Sequence, residues 1–305
     1  MASNFSFNEK PKNDNKDSWV RVRCAIYIIM ETAKYYFERG SARLELNDYN
    51  GAIEDFNKAI ALNPKEVSIY SNRGIAKSSL KDFSGAIEDY NEAIDLNPKY
   101  SLAYYNRGKL RSELKDYNDA IEDFSKAIEL NPKNDLSYVN RGTAKSYLND
   151  FDGAIEDFNI AIELNPKDAL VFGNRGATKI KLQDFNGAIA DFNIAIELNP
   201  YDALAYGNRG IAKCELKDYN NAIEDFNKAI ELNPEFAAAY VNRGNEKYKL
   251  QDYVGAIEDF SKAIGISPTD ASAYEIRGYA KRKLRDYDGA NEDFNKAFEL
   301  NPENV

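Results

Sequence analysis

Histidine is absent from the 305 residues, and cysteine occurs only twice. Histidine is the side chain that most often moves protons near neutral pH. Its absence weakens an enzymatic reading, although carboxylates and lysines can substitute for it. Zinc sites draw on histidine and cysteine, and Cys24 and Cys214 lie far apart with no metal or redox spacing. No catalytic residue, metal ligand or cofactor is therefore assigned. At most one disulfide is available, which fits a reduced cytoplasmic setting. Positive charge is in deficit: the net charge is −10. An acidic surface is repelled by phosphate backbones and anionic lipid, so neither nucleic acid nor a membrane is an expected partner. Long apolar runs are missing as well. The stretch from Trp19 to Met30 is interrupted by Arg21 and Arg23, is too short to span a bilayer, and has the wrong flanks for a secretory signal.

What is present is a period. Of the nine prolines, eight (Pro64, Pro98, Pro132, Pro166, Pro200, Pro234, Pro268 and Pro302) fall 34 residues apart. With Ala33 as position 1 the prolines take position 32, and eight repeats follow: 33–66, 67–100, 101–134, 135–168, 169–202, 203–236, 237–270 and 271–304. Position 7 is arginine in all eight, position 8 glycine, position 14 leucine, positions 16 and 23 aspartate, and position 20 alanine. Positions 4, 17 and 24 are always Tyr or Phe.

Repeat three, 101–134, shows the physics of one unit. Ser101 to Leu114 holds no proline and spaces Tyr104, Gly108, Arg111 and Leu114 on helical steps, which predicts a first helix. Asp116 follows as an N-cap expected to accept from the free N–H groups of the next turn. Ala120, Ile121, Phe124, Ala127 and Ile128 then form an apolar stripe at three- and four-residue steps, a second helix. Asn131 and Pro132 end it. Gly108 and Ala120 are small enough for the two helices to approach closely. One such hairpin cannot bury its apolar face alone; stacked copies bury it against each other.

The order aromatic, glycine, small, aromatic, small, proline at Tyr104, Gly108, Ala120, Phe124, Ala127 and Pro132 resembles the tetratricopeptide repeat family. The resemblance extends through all eight repeats, about nine tenths of the chain. It implies an all-α fold, a right-handed superhelical α-solenoid of antiparallel helix hairpins, with first helices on the concave side. The chain departs from the family at position 7, arginine where leucine is usual, and at position 11, lysine or arginine where an aromatic is usual. Position 7 and the aspartate of position 23 occur together in every repeat on opposite helices. This predicts partly buried structural ion pairs, Arg107 with Asp123 and Arg141 with Asp157, in preference to an arginine array for a ligand.

Function belongs to positions that vary on the first helix: 2, 5, 9, 12 and 13. Position 6, on the same face, is asparagine in six successive repeats: Asn72, Asn106, Asn140, Asn174, Asn208 and Asn242. Helix propensity does not account for that. An amide offers a donor and an acceptor together, so a row of them can hold a peptide main chain irrespective of its sequence. Some tetratricopeptide superhelices are known for such an asparagine ladder, and this row is similar; the alternative is that each asparagine bridges to a neighbouring helix. With first helices roughly 10 Å apart and about 3.3 Å per extended residue, the row matches about 15 residues of peptide. Leu102, Leu136, Leu170 and Leu204 at position 2, with Gly173 and Gly207 at position 5, predict a central apolar pocket for a bulky side chain; Ala177, Ile180 and Ile211 are expected beside it.

The expected function is a non-catalytic protein–protein interaction scaffold that binds an extended peptide in its concave groove. The alternative is a structural self-assembly module stacking through its ends, with a homodimer through the C-terminal end, where Phe298 is expected near the surface. A co-chaperone adaptor is less favoured. Family members that hold chaperone tails use a lysine at position 5, where this chain has Phe37, Ser71, Tyr105, Val139, Gly173, Gly207, Val241 and Glu275. Residues 1–17 read as a disordered polar segment. Residues 18–32 read as a helical extension whose Trp19, Ile26 and Ile29 cap the stack.

Overall fold

The computed structural model describes the backbone of residues 16–301 and the side chains from residue 22 onward, Cys24 apart. Among the described residues it is all-helical, sixteen helices joined as hairpins. The first helices of the eight repeats are α1 (Lys16–Glu45), α3 (Val67–Ser79), α5 (Ser101–Glu113), α7 (Asp135–Tyr147), α9 (Ala169–Lys181), α11 (Ala203–Glu215), α13 (Ala237–Lys249) and α15 (Ala271–Lys283). The second helices are α2 (Tyr49–Leu62), α4 (Phe83–Leu96), α6 (Tyr117–Leu130), α8 (Phe151–Leu164), α10 (Phe185–Leu198), α12 (Tyr219–Leu232), α14 (Tyr253–Ile266) and α16 (Tyr287–Leu300). The chain divides into two compact units, residues 1–137 and 138–305.

Each hairpin closes on the same few atoms. A methyl group placed on Gly108 would lie 2.9 Å from Cε1 of Phe124, and on Gly210 2.7 Å from Cε1 of Phe226, so position 8 tolerates no side chain where the two helices meet. The second helices bury the alanines of positions 20 and 27 and the aromatic of position 24, as at Ala154, Phe158 and Ala161. The turn between the helices needs a left-handed residue at position 15, and none of the eight is glycine: φ is 61° at Asn47, 66° at Lys115 and 60° at Gln183. Backbone bonds close this turn, the Asp184 N–H donating to the Lys179 carbonyl at 2.9 Å.

The aspartate of position 16 caps the second helix in six repeats, as where the Gly153 N–H donates to Asp150 Oδ1 at 3.1 Å. Asp116, expected to cap, does not: its carboxylate accepts no bond from the helix. The cause lies at position 19, glycine in the six capped repeats. Repeat three has Asp119 there, whose like charge and bulk oppose the Asp116 carboxylate, and Asp119 Oδ2 instead faces Arg111 Nη2 at 3.4 Å. Repeat six has Asn221, whose side-chain amide donates to both oxygens of Asp218 at 3.0 and 2.9 Å and takes the place of the backbone donor.

In the first unit α1, α3 and α5 touch in succession; in the second, α9, α11, α13 and α15 do so. Within each unit the second helices of successive repeats make no such contacts among the described residues. Within each unit the first helices therefore form the tighter, inner layer. At the N-terminus, the last two residues of the polar segment begin α1, and the rest of it lies outside the described residues, as does the Trp19 side chain. Ile26 and Ile29 are 48% and 44% exposed, so they do not cover the end of the stack. The helix continues past the first hairpin, and its described side chains from Val22 to Thr32 are exposed.

Candidate functional site

The repeated charges form a network inside each hairpin. Arg107 Nε donates to Asp123 Oδ2 at 2.9 Å and Nη2 to Oδ1 at 2.6 Å; Arg141 makes the same two-pronged pair with Asp157 at 2.9 and 2.6 Å. Parallel N–H···O bonds of this kind are among the strongest in proteins. The cation of position 11 occupies the other side of the carboxylate, Arg111 Nη1 at 2.8 Å from Asp123 Oδ2 and Lys145 Nζ at 2.9 Å from Asp157 Oδ2. Each position 7 guanidinium also lies over the ring of position 4, Arg107 at 5.7 Å from the Tyr104 centroid. At the N-terminal pair, the bonds from Arg39 hold the Asp55 carboxyl below its ordinary range against the opposing effect of burial. At Asp293 burial pushes upward, but Arg277 and Lys281 outweigh it and the net shift is downward. Burial likewise disfavours the charge of Arg107, and Asp123 more than restores it.

The remaining Nη1 of Arg73, Arg107, Arg175, Arg209, Arg243 and Arg277 reaches the preceding repeat, a contact that sequence reasoning missed. Arg175 donates to Asn159 Oδ1 at 2.6 Å and Arg209 to Asn193 Oδ1 at 2.7 Å; Arg277 finds Ser261 at 3.0 Å. The acceptor is position 25, which is Asn or Ser in every repeat, and that recurrence is the signal the sequence offers. With its donors committed in three directions, the arginine row serves the scaffold.

The asparagines sit half-buried on the inner layer, one on each first helix from α3 to α13, but they are not equivalent. In the first unit Asn72 donates to Ser41 Oγ at 3.2 Å and Asn106 to Ser71 Oγ at 3.3 Å, so both bridge to the preceding first helix. In the second unit the side chains of Asn174, Asn208 and Asn242 make no hydrogen bond with any described residue. Asn140, also in this unit, has a partner. The serines that engage the first two stand at positions 9 and 5 of the preceding repeat. Those positions hold Ala177 and Gly173 before Asn208, and Ile211 and Gly207 before Asn242, none of which carries a hydroxyl.

The position 2 leucines are exposed on the same helices, Leu102 and Leu136 in the first unit, Leu170 and Leu204 in the second at 61% and 58%. The two glycines behave differently. Around Gly173 a methyl group would meet nothing within 4 Å, whereas at Gly207 it would lie 3.0 Å from Cε1 of Phe236. Gly207 is thus covered by the chain's own ring, and the expectation of two vacant places narrows to one. Ala177 and Ile180 pack in part against the cluster of Phe172, Ala188 and Phe192 and so belong to the core more than to the groove.

One polar residue breaks the pattern of position 10. Glu246, 4% exposed, stands where other repeats have Ala, Leu or Thr. Its Oε1 accepts from Lys249 Nζ at 2.7 Å, and its Oε2 is buried with no hydrogen bond of ordinary geometry from any described residue. Burial, reinforced by the Glu246 charge, pushes the nearby Cys214 thiol up to about 12. A thiol in that state is a poor nucleophile and a poor metal ligand at neutral pH.

Comparison with known proteins agrees with this architecture. Models of the tetratricopeptide repeat match residues 101–134, 203–236 and 237–270, 139–203 and 271–304, and a model described as TPR repeat matches 40–81 and 78–115. The fold is that of a helical-hairpin repeat protein. The chain belongs to the tetratricopeptide repeat family, whose members are generally protein-interaction scaffolds without catalytic function. No curated protein matches it. Among solved structures, it is similar to YrrB, described as a TPR protein with an unusual peptide-binding site, at 26% identity over 60% of this chain and 95% of that one, TM-score 0.53. It is similar to MamA at 29% identity over 53% and 95%, TM-score 0.50. A tetratricopeptide repeat protein from Parabacteroides merdae ATCC 43184 shares the fold at 21% identity over 82% and 99%, TM-score 0.61. No described helix is long and apolar enough to cross a membrane.

Proposed function

We propose that the chain is a non-catalytic scaffold that holds an extended peptide segment of a partner protein on its inner helical layer, by the main chain. The observation that carries this reading is the set of three half-buried asparagine amides, Asn174, Asn208 and Asn242, on successive first helices of one unit with no partner among the described residues. None of these amides is among the buried atoms that lack a partner, so water reaches them and a ligand that reproduces its hydrogen bonds can displace it; an amide matches both groups of a peptide unit. At roughly 10 Å between helices, three asparagines span about 20 Å, or about six extended residues. Asn72 and Asn106, tied to serines, fit the bridging alternative, so the site is shorter than the full row. YrrB, similar in fold, is described as having a peptide-binding site, which is consistent with the reading.

Each hydrogen bond contributes only about 0.5–1.5 kcal/mol net, so the exposed leucines Leu170 and Leu204 supply the rest of the contact. The test is to pan a random displayed peptide library against the intact protein and against the Asn174→Ala, Asn208→Ala, Asn242→Ala triple variant. Peptides selected by the first are expected to bind the second at least about tenfold more weakly, the change that ~1.4 kcal/mol represents. Equal binding by a variant that melts at the same temperature would remove the asparagines from the site. A second reading, pairing of two copies through the C-terminal hairpin, draws on Phe298, 54% exposed on α16; a molar mass of one chain across a wide concentration range in light scattering would exclude it.

A further inference from the structure

Position 5 of the repeat is a place that this chain fills. In five repeats the residue there brings its own large side chain: Phe37, Tyr105, Val139, Val241 or Glu275. In two others that residue is small and a ring from position 34 of the same repeat covers it. The Ser71 side chain, fully buried, favours ionisation of the Tyr100 phenol, which burial more than opposes, and the Phe236 ring lies against Gly207, also buried. Repeat five has neither. Position 5 is Gly173, with open space where a side chain would begin. Position 34 is Asp202, whose carboxylate is turned to the start of α11, accepting from the N–H groups of Leu204 at 2.9 Å and Ala205 at 3.2 Å.

We propose that the uncovered place at Gly173 receives one aromatic side chain from the bound segment, so that the ligand supplies the ring that Phe236 supplies one repeat later. This rests on the groove reading above and names the side chain that the groove selects. The intramolecular precedent sets the chemistry: the same backbone position, on the same face of an equivalent helix, is closed by a phenyl ring in repeat six and by a phenol in repeat two. The surroundings fit. Asn174, next in sequence, has a free amide to fix the main chain beside the inserted ring, and Leu170, one turn earlier on α9, presents an exposed apolar surface. Asp202 retains lone pairs beyond its two capping bonds, so a ring that carries a donor, phenol or indole, is matched at the rim, whereas an acidic neighbour on the ligand is opposed.

The experiment uses the full chain, isotopically labelled, and three capped heptapeptides, Gly-Ser-Gly-Xaa-Gly-Ser-Gly, with Xaa as Trp, Leu or Ala. Binding is read from amide shifts, with Gly173 as the reporter. The Trp peptide is expected to bind about tenfold or more tightly than the Ala peptide, which corresponds to burying part of one ring, and to move the Gly173 resonance. Gly173→Val places in repeat five the residue that repeats four and seven carry at this position; it is expected to leave the melting temperature unchanged or higher and to abolish the preference for Trp. Phe236→Ala uncovers Gly207 and is expected to create a second site that shifts the Gly207 amide. Equal binding of the three peptides would overturn the ring slot and leave the main-chain groove standing. Failure of all three to bind would overturn both. A preference for Trp that survives Gly173→Val would place the aromatic site elsewhere and overturn the proposal.

Discussion

Arg175 grips Asp191 within its own repeat through Nε and Nη2, at 2.9 and 2.6 Å, and with Nη1 it holds Asn159 of the repeat before, at 2.6 Å. One side chain thus closes a hairpin and fastens it to its neighbour. The two roles separate by mutation. Asn159→Ala removes one exposed hydrogen bond and is expected to cost about 0.5–1.5 kcal/mol. Arg175→Leu leaves the buried Asp191 carboxylate with only Lys179, 2.8 Å away, and is expected to cost more, on the order of 3 kcal/mol. Chemical denaturation of the two single variants and the double variant checks this; equal losses for the two singles would show that the inter-repeat bond dominates.

The left-handed turn residues carry strain that glycine would relieve. A non-glycine residue in that conformation costs roughly 1–2 kcal/mol, part of which glycine gives back as unfolded-chain entropy, about 0.5–1 kcal/mol. Gln183, at φ 60°, is exposed, so Gln183→Gly is expected to raise stability by about 0.5–1 kcal/mol. Asn149→Gly, at φ 63°, should gain less because asparagine tolerates this region. Thermal melts of the two variants decide the order.

The caps differ between repeats in a way that mutation reads directly. Asp150→Ala breaks the bond from the Gly153 N–H and is expected to cost about 1 kcal/mol. Asp116→Ala breaks no such bond and relieves repulsion with Asp119, so its loss in denaturant midpoint should be much smaller.

Acid is expected to be the destabilising direction of pH. Asp55 and Asp293 have carboxyls held below the ordinary value in the folded chain. A depressed folded value means that their contribution is complete above the unfolded value, near about 4, and is lost as the pH falls through the lower folded one. With no histidine, little should change between about pH 6 and 8. Melting temperatures from about pH 2 to 8 should therefore be flat and then fall below about pH 4; a fall already at about pH 6 would contradict the assignment.

The hairpins and the Arg107–Asp123 pairing are legible in the sequence because each depends on residues that recur at a fixed spacing. What stays hidden depends on which repeat a side chain meets. Asn159 lies on the outer helix, and nothing in its own repeat announces that Arg175 arrives there. Gly207 and Gly173 look alike in sequence; they part because position 34 is Phe236 in one repeat and Asp202 in the other. Asp116 has the residue type of a cap, and its neighbour Asp119 takes that role away. Asn72 and Asn106 share a repeat position with Asn208 and Asn242, and the serines within reach of their amides set them apart.

The arginine that reaches back by one repeat also bears on how such a chain lengthens. Every junction so fastened presents the same donor on one side and an Asn or Ser on the other, so an inserted copy of 34 residues arrives with both halves of the fastening already in place. Duplication within the gene would extend the protein without any new fit having to evolve, and the copies would then be free to diverge at the few positions, such as Gly173, that the fastening does not use.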